Sequence, residues 1–378
     1  MKLNKLVLVA LLALGATACD KNDENDALTA GKKSVVLKID GITSGSRSTG
    51  AASGETDKKI TLSNVAIFFA GDDNIYKVET LENTETEKWE KLIGQEGVEY
   101  HNLPKDVNAV YIVGNVKEDL TKLGSVQTLK KQILDIEGEQ AMDNITLFGE
   151  DKELKSVGAS HSGEAHEEEL TMYNAVVKLT PRVARIEIGN ITCTDLGSEF
   201  SKLDLKVIGL LNFYESVQLD GTNPTLLITE DNVLEPTPDA VAEEGEYIFG
   251  KGDKTWGWDE FSASLDDTTP YNPIIDDEKQ IEGKFVYNFI PNDDLKVRMY
   301  FNATTATGVP HSDNTLTAKF APQNGFQAGY IYQVDLEFTE KDLKPWDPNA
   351  QICVNVSDRK STRLNSSHVK RNRMPSSA

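Results

Sequence analysis

The chain has 378 residues, room for about two domains that each bury a core, and it carries 39 basic against 61 acidic residues, a net charge of −22. Without Lys2, Lys5 and residues 358–378 the balance is 31 against 60, or −29. Such a surface repels nucleic acid and anionic lipid, which leaves both poor partners for the folded part.

The N-terminus reads MKLNKLVLVALLALGATAC. Lys2 and Lys5 precede an apolar run from Leu6 to Leu14, and Gly15, Ala16, Thr17 and Ala18 lead to Cys19. The run is too short to span a bilayer, so residues 1–18 read as a signal peptide. Small residues directly before a cysteine resemble the lipobox of bacterial lipoproteins, which makes Cys19 the lipidation site and its lipid the only membrane contact. The plainer alternative is a secretory signal with a coincidental cysteine. The polar, acidic DKNDENDALTAGKKS that follows suits a flexible tether. An acidic stretch in that place also resembles the surface-export signal of Bacteroidetes lipoproteins, pointing to the outer face of the outer membrane.

Alternating apolar residues dominate the rest. Residues 34–42, SVVLKIDGI, put Val35, Leu37 and Ile39 on one face of a strand. ITLSNVAIFFAGDDNIYKVETL predicts two strands joined through Gly71, Asp72, Asp73 and Asn74. VNAVYIVGNV predicts a buried strand. KEDLTKLGSVQTLKKQILDI predicts the one convincing helix, with Leu120, Leu123, Val126, Leu129 and Ile133 in a stripe. SVGASHSGEAHEEEL reads as loop. Then come VVKLTPRVARIEIGNI, KLDLKVIGLLNFYESV, GKFVYNFI, LKVRMYFNATT and AGYIYQVDLEF, all strand-like. Phe285, Tyr287 and Phe289 share a face, as do Val297, Met299 and Phe301, across the turn from Pro291 to Asp294. Short strands, frequent turns and little helix predict an all-β chain of two sandwiches that divide between Glu167 and Met172. No internal repeat is convincing, and residues 221–282 read as polar loops decorating the second sandwich.

Catalytic constellations are scarce. His161 and His166 in SHSGEAHEEE lie near Glu164, Glu167, Glu168 and Glu169, but the spacing fits neither a His-Glu-x-x-His helix nor a tight zinc motif, so a solvated loop is expected. Gly250, Gly252 and Gly257 in GKGDKTWG lack the phosphate-loop spacing and the preceding apolar strand. No nucleophile elbow appears, and carboxylate pairs in so acidic a chain say nothing about glycosidase chemistry. The expectation is no enzyme, no catalytic residue, no metal and no cofactor. Cys193 and Cys353, both on predicted strands, admit a disulfide in an oxidising exterior or two small buried apolar residues, and the second is the expected case.

MKLNKLVLVALLALGATAC, YIVGNVKEDL, RVARIEI, LLNFYESV and AGYIYQVDL resemble the type V pilus subunits of the Bacteroidales, the FimA/Mfa1 fimbrillin family, from the signal peptide to about residue 356. The resemblance implies two tandem transthyretin-like β-sandwiches with one short helix in the first. It also implies export as a lipoprotein, trimming by an arginine-specific protease, and strand exchange into a fimbrium that supports adhesion. The processing site carries over to Arg47, with Ser48 as the new N-terminus, in ITSGSRSTG. Exposed loops of small polar residues are where proteases cut; a merely solvated arginine is the bland alternative.

If the strand of Val35, Leu37 and Ile39 completes the first sandwich, a cut after Arg47 leaves it held by noncovalent contacts, and its departure uncovers a sheet edge and an apolar groove. Ile352, Val354 and Val356 repeat the same alternation after the proline-containing KDLKPWDPNAQ. One copy's end could therefore fill the next copy's groove, a head-to-tail contact that propagates; pairing of 351–357 within its own domain is the other reading. On this plan residues 19–47 are tether and propeptide, 48–172 and 173–350 the two sandwiches, and 351–357 a truncated donor strand. Implied partners are copies of the chain, other fimbrial subunits, and host or bacterial surface ligands. A fimbrial anchor or tip subunit remains open, as does a surface glycan-binding lipoprotein with Trp256 and Trp258 in KTWGWDEF as its platform.

After Ser357 the pattern stops, and six basic residues follow against one acid. DRKSTRLNSSH, residues 358–368, is codon for codon the translation of a common short-read sequencing adapter, and RMPSSA translates a later stretch of it. Residues 358–378 are therefore expected to be adapter-encoded, with the natural end missing from about Ser357. A basic tail that binds an acidic surface is the biological alternative.

Overall fold

Alternation becomes strand through most of the described residues. The computed structural model describes residues 32–40, 60–141, 144–161, 169–229, 233–234, 241, 247–248, 257–265, 285–322, 325–345 and 352–359. The first unit holds β1 (Lys32–Asp40), β2 (Asn64–Gly71), β3 (Asn74–Glu82), α1 (Thr86–Ile93), β4 (Val98–Pro104), β5 (Ala109–Gly114), α2 (Val126–Lys130), β6 (Ile133–Asp135), β7 (Leu147–Asp151), β8 (Lys155–His161), β9 (Glu169–Lys178) and β10 (Thr180–Pro181). Its two sheets run β4-β1-β9-β8 and β10-β7-β5-β2-β3.

The second unit holds β11 (Ala184–Cys193), β12 (Phe200–Leu211), β13 (Phe213–Gln218), β14 (Thr225–Ile228), β15 (Val233–Leu234), β16 (Tyr247–Ile248), β17 (Trp258–Leu265), β18 (Val286–Phe289), β19 (Lys296–Thr305), β20 (Pro310–Pro322), β21 (Ile331–Phe338), β22 (Lys344–Pro345) and β23 (Ile352–Arg359). One path of pairing runs β17-β12-β19-β20-β23-β21-β11-β18, with β22 also on β20. Thus β23 joins the edge of one sheet to the edge of the other.

The units repeat one pairing plan. β1 is antiparallel to β4 and parallel to β9, and β11 is antiparallel to β18 and parallel to β21. β2 lies between β3 and β5 as β12 lies between β17 and β19, with β7 and β20 next in line. The sequence shows no repeat because this plan asks only for alternation, which many unrelated apolar residues satisfy.

Several local expectations need correction. The expected division between Glu167 and Met172 reaches into β9, which pairs with β1 and β8, so the chain leaves the first unit only after Pro181. VVKLTPRVARIEIGNI accordingly holds the end of β9 and all of β10 in the first unit and most of β11 in the second. The expected long helix is one short turn, α2, because Gly124 interrupts it and the Ser125 hydroxyl accepts the Thr128 N–H at 3.1 Å to start the helix afresh. Leu120, Val126 and Leu129 are buried even so, whereas Ile133 is exposed on β6. The first unit also has α1, whose Trp89 and Leu92 are buried at i, i+3 spacing. SVGASHSGEAHEEEL starts as strand β8, and residues 162–168 lie outside the described ones. Within the expected loops of 221–282, WDEFSASL is β17, with Phe261, Ala263 and Leu265 facing inward.

The interiors of both sandwiches belong to one apolar cluster reaching from Val35 to Leu343. A second, smaller cluster covers the opposite face of β2, β5 and β7, with Phe68, Tyr111, Val113 and Phe148 under Leu120, Val126, Leu129 and Leu219.

Candidate functional site: the slot of the first strand

β1 is an inner strand with both edges paired. Towards β4 the register sets Val35 opposite Tyr100 and Leu37 opposite Val98, with a bulge between Lys33 and Val35. Towards β9 it runs unbroken from Lys33 opposite Thr171 to Asp40 opposite Lys178. Alternation then divides its side chains. Val35, Leu37 and Ile39 are 0%, 0% and 2% exposed and join Ile67, Phe69, Val110 and Ile112 of the facing sheet in one cluster. On the other face Ser34 Oγ shares a hydrogen bond with His101 Nδ1 at 2.9 Å.

The slot has a closed end and a charged rim. α1 packs against β1 and β4 and leads into β4 through Gly97 at φ +80°. A Cβ on Gly97 would come within 2.9 Å of Val36 Cγ1 and 3.0 Å of the Leu37 carbonyl oxygen, so glycine lets the turn pass this close to β1. Lys33 is buried at the rim, its Nζ 4.5 Å from the centre of the Tyr173 ring. Burial pushes its ammonium below the ordinary lysine range, against the attraction of Asp106.

This arrangement binds a strand. It accepts an extended segment with three inward apolar side chains, antiparallel to β4 and parallel to β9. Burying three such side chains contributes about 5–8 kcal/mol as an upper estimate. That equals much of the ~5–15 kcal/mol stability of an ordinary domain. An empty slot is therefore not a resting state, and whatever leaves has to be replaced. β1 continues into the body of the chain only through residues 41–59, where Arg47 and Ser48 fall; these two and Cys19 lie outside the described residues.

The C-terminal strand lies in its own unit, the alternative that the sequence left open. β23 runs parallel to β20, with Ile352 opposite Ala318, Val354 opposite Phe320 and Val356 opposite Pro322. It then pairs antiparallel with β21 from Ser357 opposite Gln333 to Arg359 opposite Ile331. The strand thus extends two residues into the stretch expected to be adapter-encoded, as backbone pairing tolerates almost any side chain. The structure does not bring β1 and β23 of one chain together.

Among the described residues the remaining candidates contribute no second site. Among the described residues no group of three or more His, Cys, Asp and Glu side chains is placed to hold a metal ion. His161 ends β8 opposite Glu169, while His166 lies outside the described residues. Gly250, Gly252 and Trp256 are also outside them, and Gly257 is a turn residue at φ +83° whose carbonyl takes the Leu210 N–H. Trp258 is half-buried against the core and its carbonyl accepts the Tyr287 hydroxyl at 2.8 Å. Cys193 is free and buried, and burial raises its thiol to about 11.

Sequence reading found the strand but not the walls of its slot. Val35, Leu37 and Ile39 announce themselves by alternation, whereas β4 and β9 are recognised as its neighbours only through long-range pairing. The signal that was available is Gly97, which separates an amphipathic TEKWEKLI from an alternating VEYHNL.

No family model and no curated protein matches the chain. Among solved structures, a candidate cell adhesion protein from Bacteroides eggerthii matches with 11% identity and a TM-score of 0.52, over 87% of this chain and 95% of that one. A candidate cell adhesion protein from Parabacteroides distasonis matches with 14% identity and a TM-score of 0.49, over 88% and 97%. A fimbrilin from Porphyromonas gingivalis matches with 12% identity and a TM-score of 0.46, over 87% and 98%. At these identities, what the chain shares with the B. eggerthii protein is its fold.

Proposed function

We propose that the chain is a structural subunit of a cell-surface fimbrium. It is exported as a lipoprotein on Cys19, trimmed after Arg47, and polymerised when the C-terminal strand of one copy takes the place of β1 in the next. The observation that carries this reading is the position of β1. It is a closed inner strand, buried between β4 and β9, yet linked to the body of the chain only through 41–59. A cut in that segment converts an ordinary core strand into an exchangeable one, and the energetics of the slot demand a replacement of the same alternation. Ile352, Val354 and Val356 supply it. The sequence resemblance and the fold shared with a candidate cell adhesion protein support the same reading, which places the mature protein outside the cell with other copies and other fimbrial subunits as partners.

The test is assembly of the precursor after treatment with an arginine-specific protease, followed by size-exclusion chromatography and electron microscopy. We expect filaments from the unaltered chain, an N-terminus at Ser48 by mass spectrometry, and none or very few filaments from Val354→Asp. Unchanged polymerisation of Val354→Asp would overturn strand exchange and leave β23 as a strand of its own sandwich. A lipidated Cys19 kept at the N-terminus of all mature protein would point instead to an anchor subunit.

A further inference from the structure

We infer that the two sandwiches are held as one cooperative unit by a β-ribbon that crosses their junction and by Leu219, a second-unit side chain seated in the apolar cluster outside the first. The covalent path alone would give a hinge, because only Arg182 and Val183 separate β10 from β11. Domains in one chain move relative to each other by default unless their interface is large and apolar. Here several independent contacts oppose that default.

The first is the ribbon. β6 of the first unit pairs antiparallel with β13 of the second, from Asp135 opposite Ser216 to Ile133 opposite Gln218, and β14 extends the ribbon on the far side of β13. The backbone continues the pairing at both ends: Ile136 donates to the Glu215 carbonyl at 2.9 Å and Leu219 donates to the Gln132 carbonyl at 2.8 Å. The second is the plug. Leu219 is 1% exposed and belongs to the cluster of Phe68, Tyr111, Val126, Leu129 and Phe148, all residues of the first unit.

Two polar clasps flank these contacts. Arg182, on the connector, donates from Nε to the Leu219 carbonyl at 2.7 Å and lies 5.1 Å from the centre of the Phe148 ring. It therefore touches the ribbon turn and the first sandwich at once. On the other side the Gln140 side chain acts as a short strand against β18. Its Nε2 donates to the Asn288 carbonyl at 2.9 Å, and its Oε1 accepts the Asn288 N–H at 3.0 Å. Asn288 Nδ2 returns a bond to the Glu139 carbonyl at 2.7 Å. Below them Ile136 and Val217, 1% and 2% exposed, are part of the cluster that fills both interiors. Bending at the junction would break backbone pairing and expose that core together.

This inference does not depend on strand exchange. It is tested by hydrogen exchange on the full chain, comparing the slowest amides of β5 with those of β12. Segments that open in one cooperative event share one opening free energy. We expect the two sets to agree within about threefold and to respond alike to denaturant. Leu219→Asp, which places a charge in the plug, is expected to separate them by about 100-fold, and the milder Leu219→Ala by about 10-fold if the first variant does not fold. Protection that already differs by 100-fold in the unaltered chain would overturn the proposal, as would a folded Leu219→Asp or Leu219→Ala in which the two sets stay equal.

Discussion

On β17, Asp259 sits where a carboxylate is costly. It lies beside Tyr287 on β18, and its Oδ2 is buried with no hydrogen-bond partner among the described residues. Burial pushes its carboxyl up to about 7, with the Tyr287 hydroxyl pulling weakly the other way. An unfolded aspartate titrates near ~3.9. Between those two values the folded chain keeps a proton that the unfolded chain has released, so stability falls as pH rises through this window. Below about pH 4 the group contributes no pH dependence, and above about pH 7 the full penalty is in place. Asp259→Asn should flatten the melting temperature between pH 4.5 and 7.5 and stabilise the protein at pH 8 by roughly 1–3 kcal/mol. Thermal melts across that range check it; a variant with the slope of the unaltered chain would mean that Asp259 is already solvated when ionised.

At the scale of single elements, β1 gives the sharpest contrast between its two faces. Leu37→Ala should cost about 2–5 kcal/mol by denaturant unfolding, since the methyl groups leave a cavity between two sheets. Lys38→Ala, on the half-buried outer face, should stay within about 0.5 kcal/mol. Similar costs at both positions would show that the slot does not distinguish the faces, and strand exchange would lose its specificity. That contrast was legible in SVVLKID, as was the turn of Asp72 at φ +51° between β2 and β3. Alternation is a local signal, so it located β1, β5, β12, β19 and β21. Pairing is not local: β1 and β9 are parallel neighbours across more than a hundred residues, and nothing in either segment marks the other. For the same reason β9 read as part of the second sandwich. The helix stripe misled because Leu120, Val126 and Leu129 are truly buried, but the Gly124-Ser125 break outweighs a pattern that irregular chain satisfies equally well. WDEFSASL was hidden by its acidic neighbours, although Phe261, Ala263 and Leu265 carry the period of two.

For the whole molecule the dominant long-range property is charge. Over residues 48–357, the part left after trimming, each copy carries 26 basic and 55 acidic residues. Two such copies meeting head to tail repel over a distance set by salt, about 30 Å at 0.01 M and about 8 Å at 0.15 M ionic strength. Strand exchange is driven at contact range by apolar burial and backbone pairing, which salt hardly weakens. The encounter is therefore what salt should control. The initial rate of polymerisation of trimmed subunits should rise roughly tenfold between 0.01 M and 0.3 M sodium chloride, while the final filament mass changes little. Light scattering over a salt series measures both. A rate that falls with salt would mean that the copies meet through complementary patches, and the place to look would be the outer face of the β1 sheet. There Lys155 and Lys178 stand on neighbouring strands in an otherwise acidic protein. Replacing those two lysines by glutamine should then abolish the salt dependence, whereas under net repulsion the same replacements would slow assembly further at low salt.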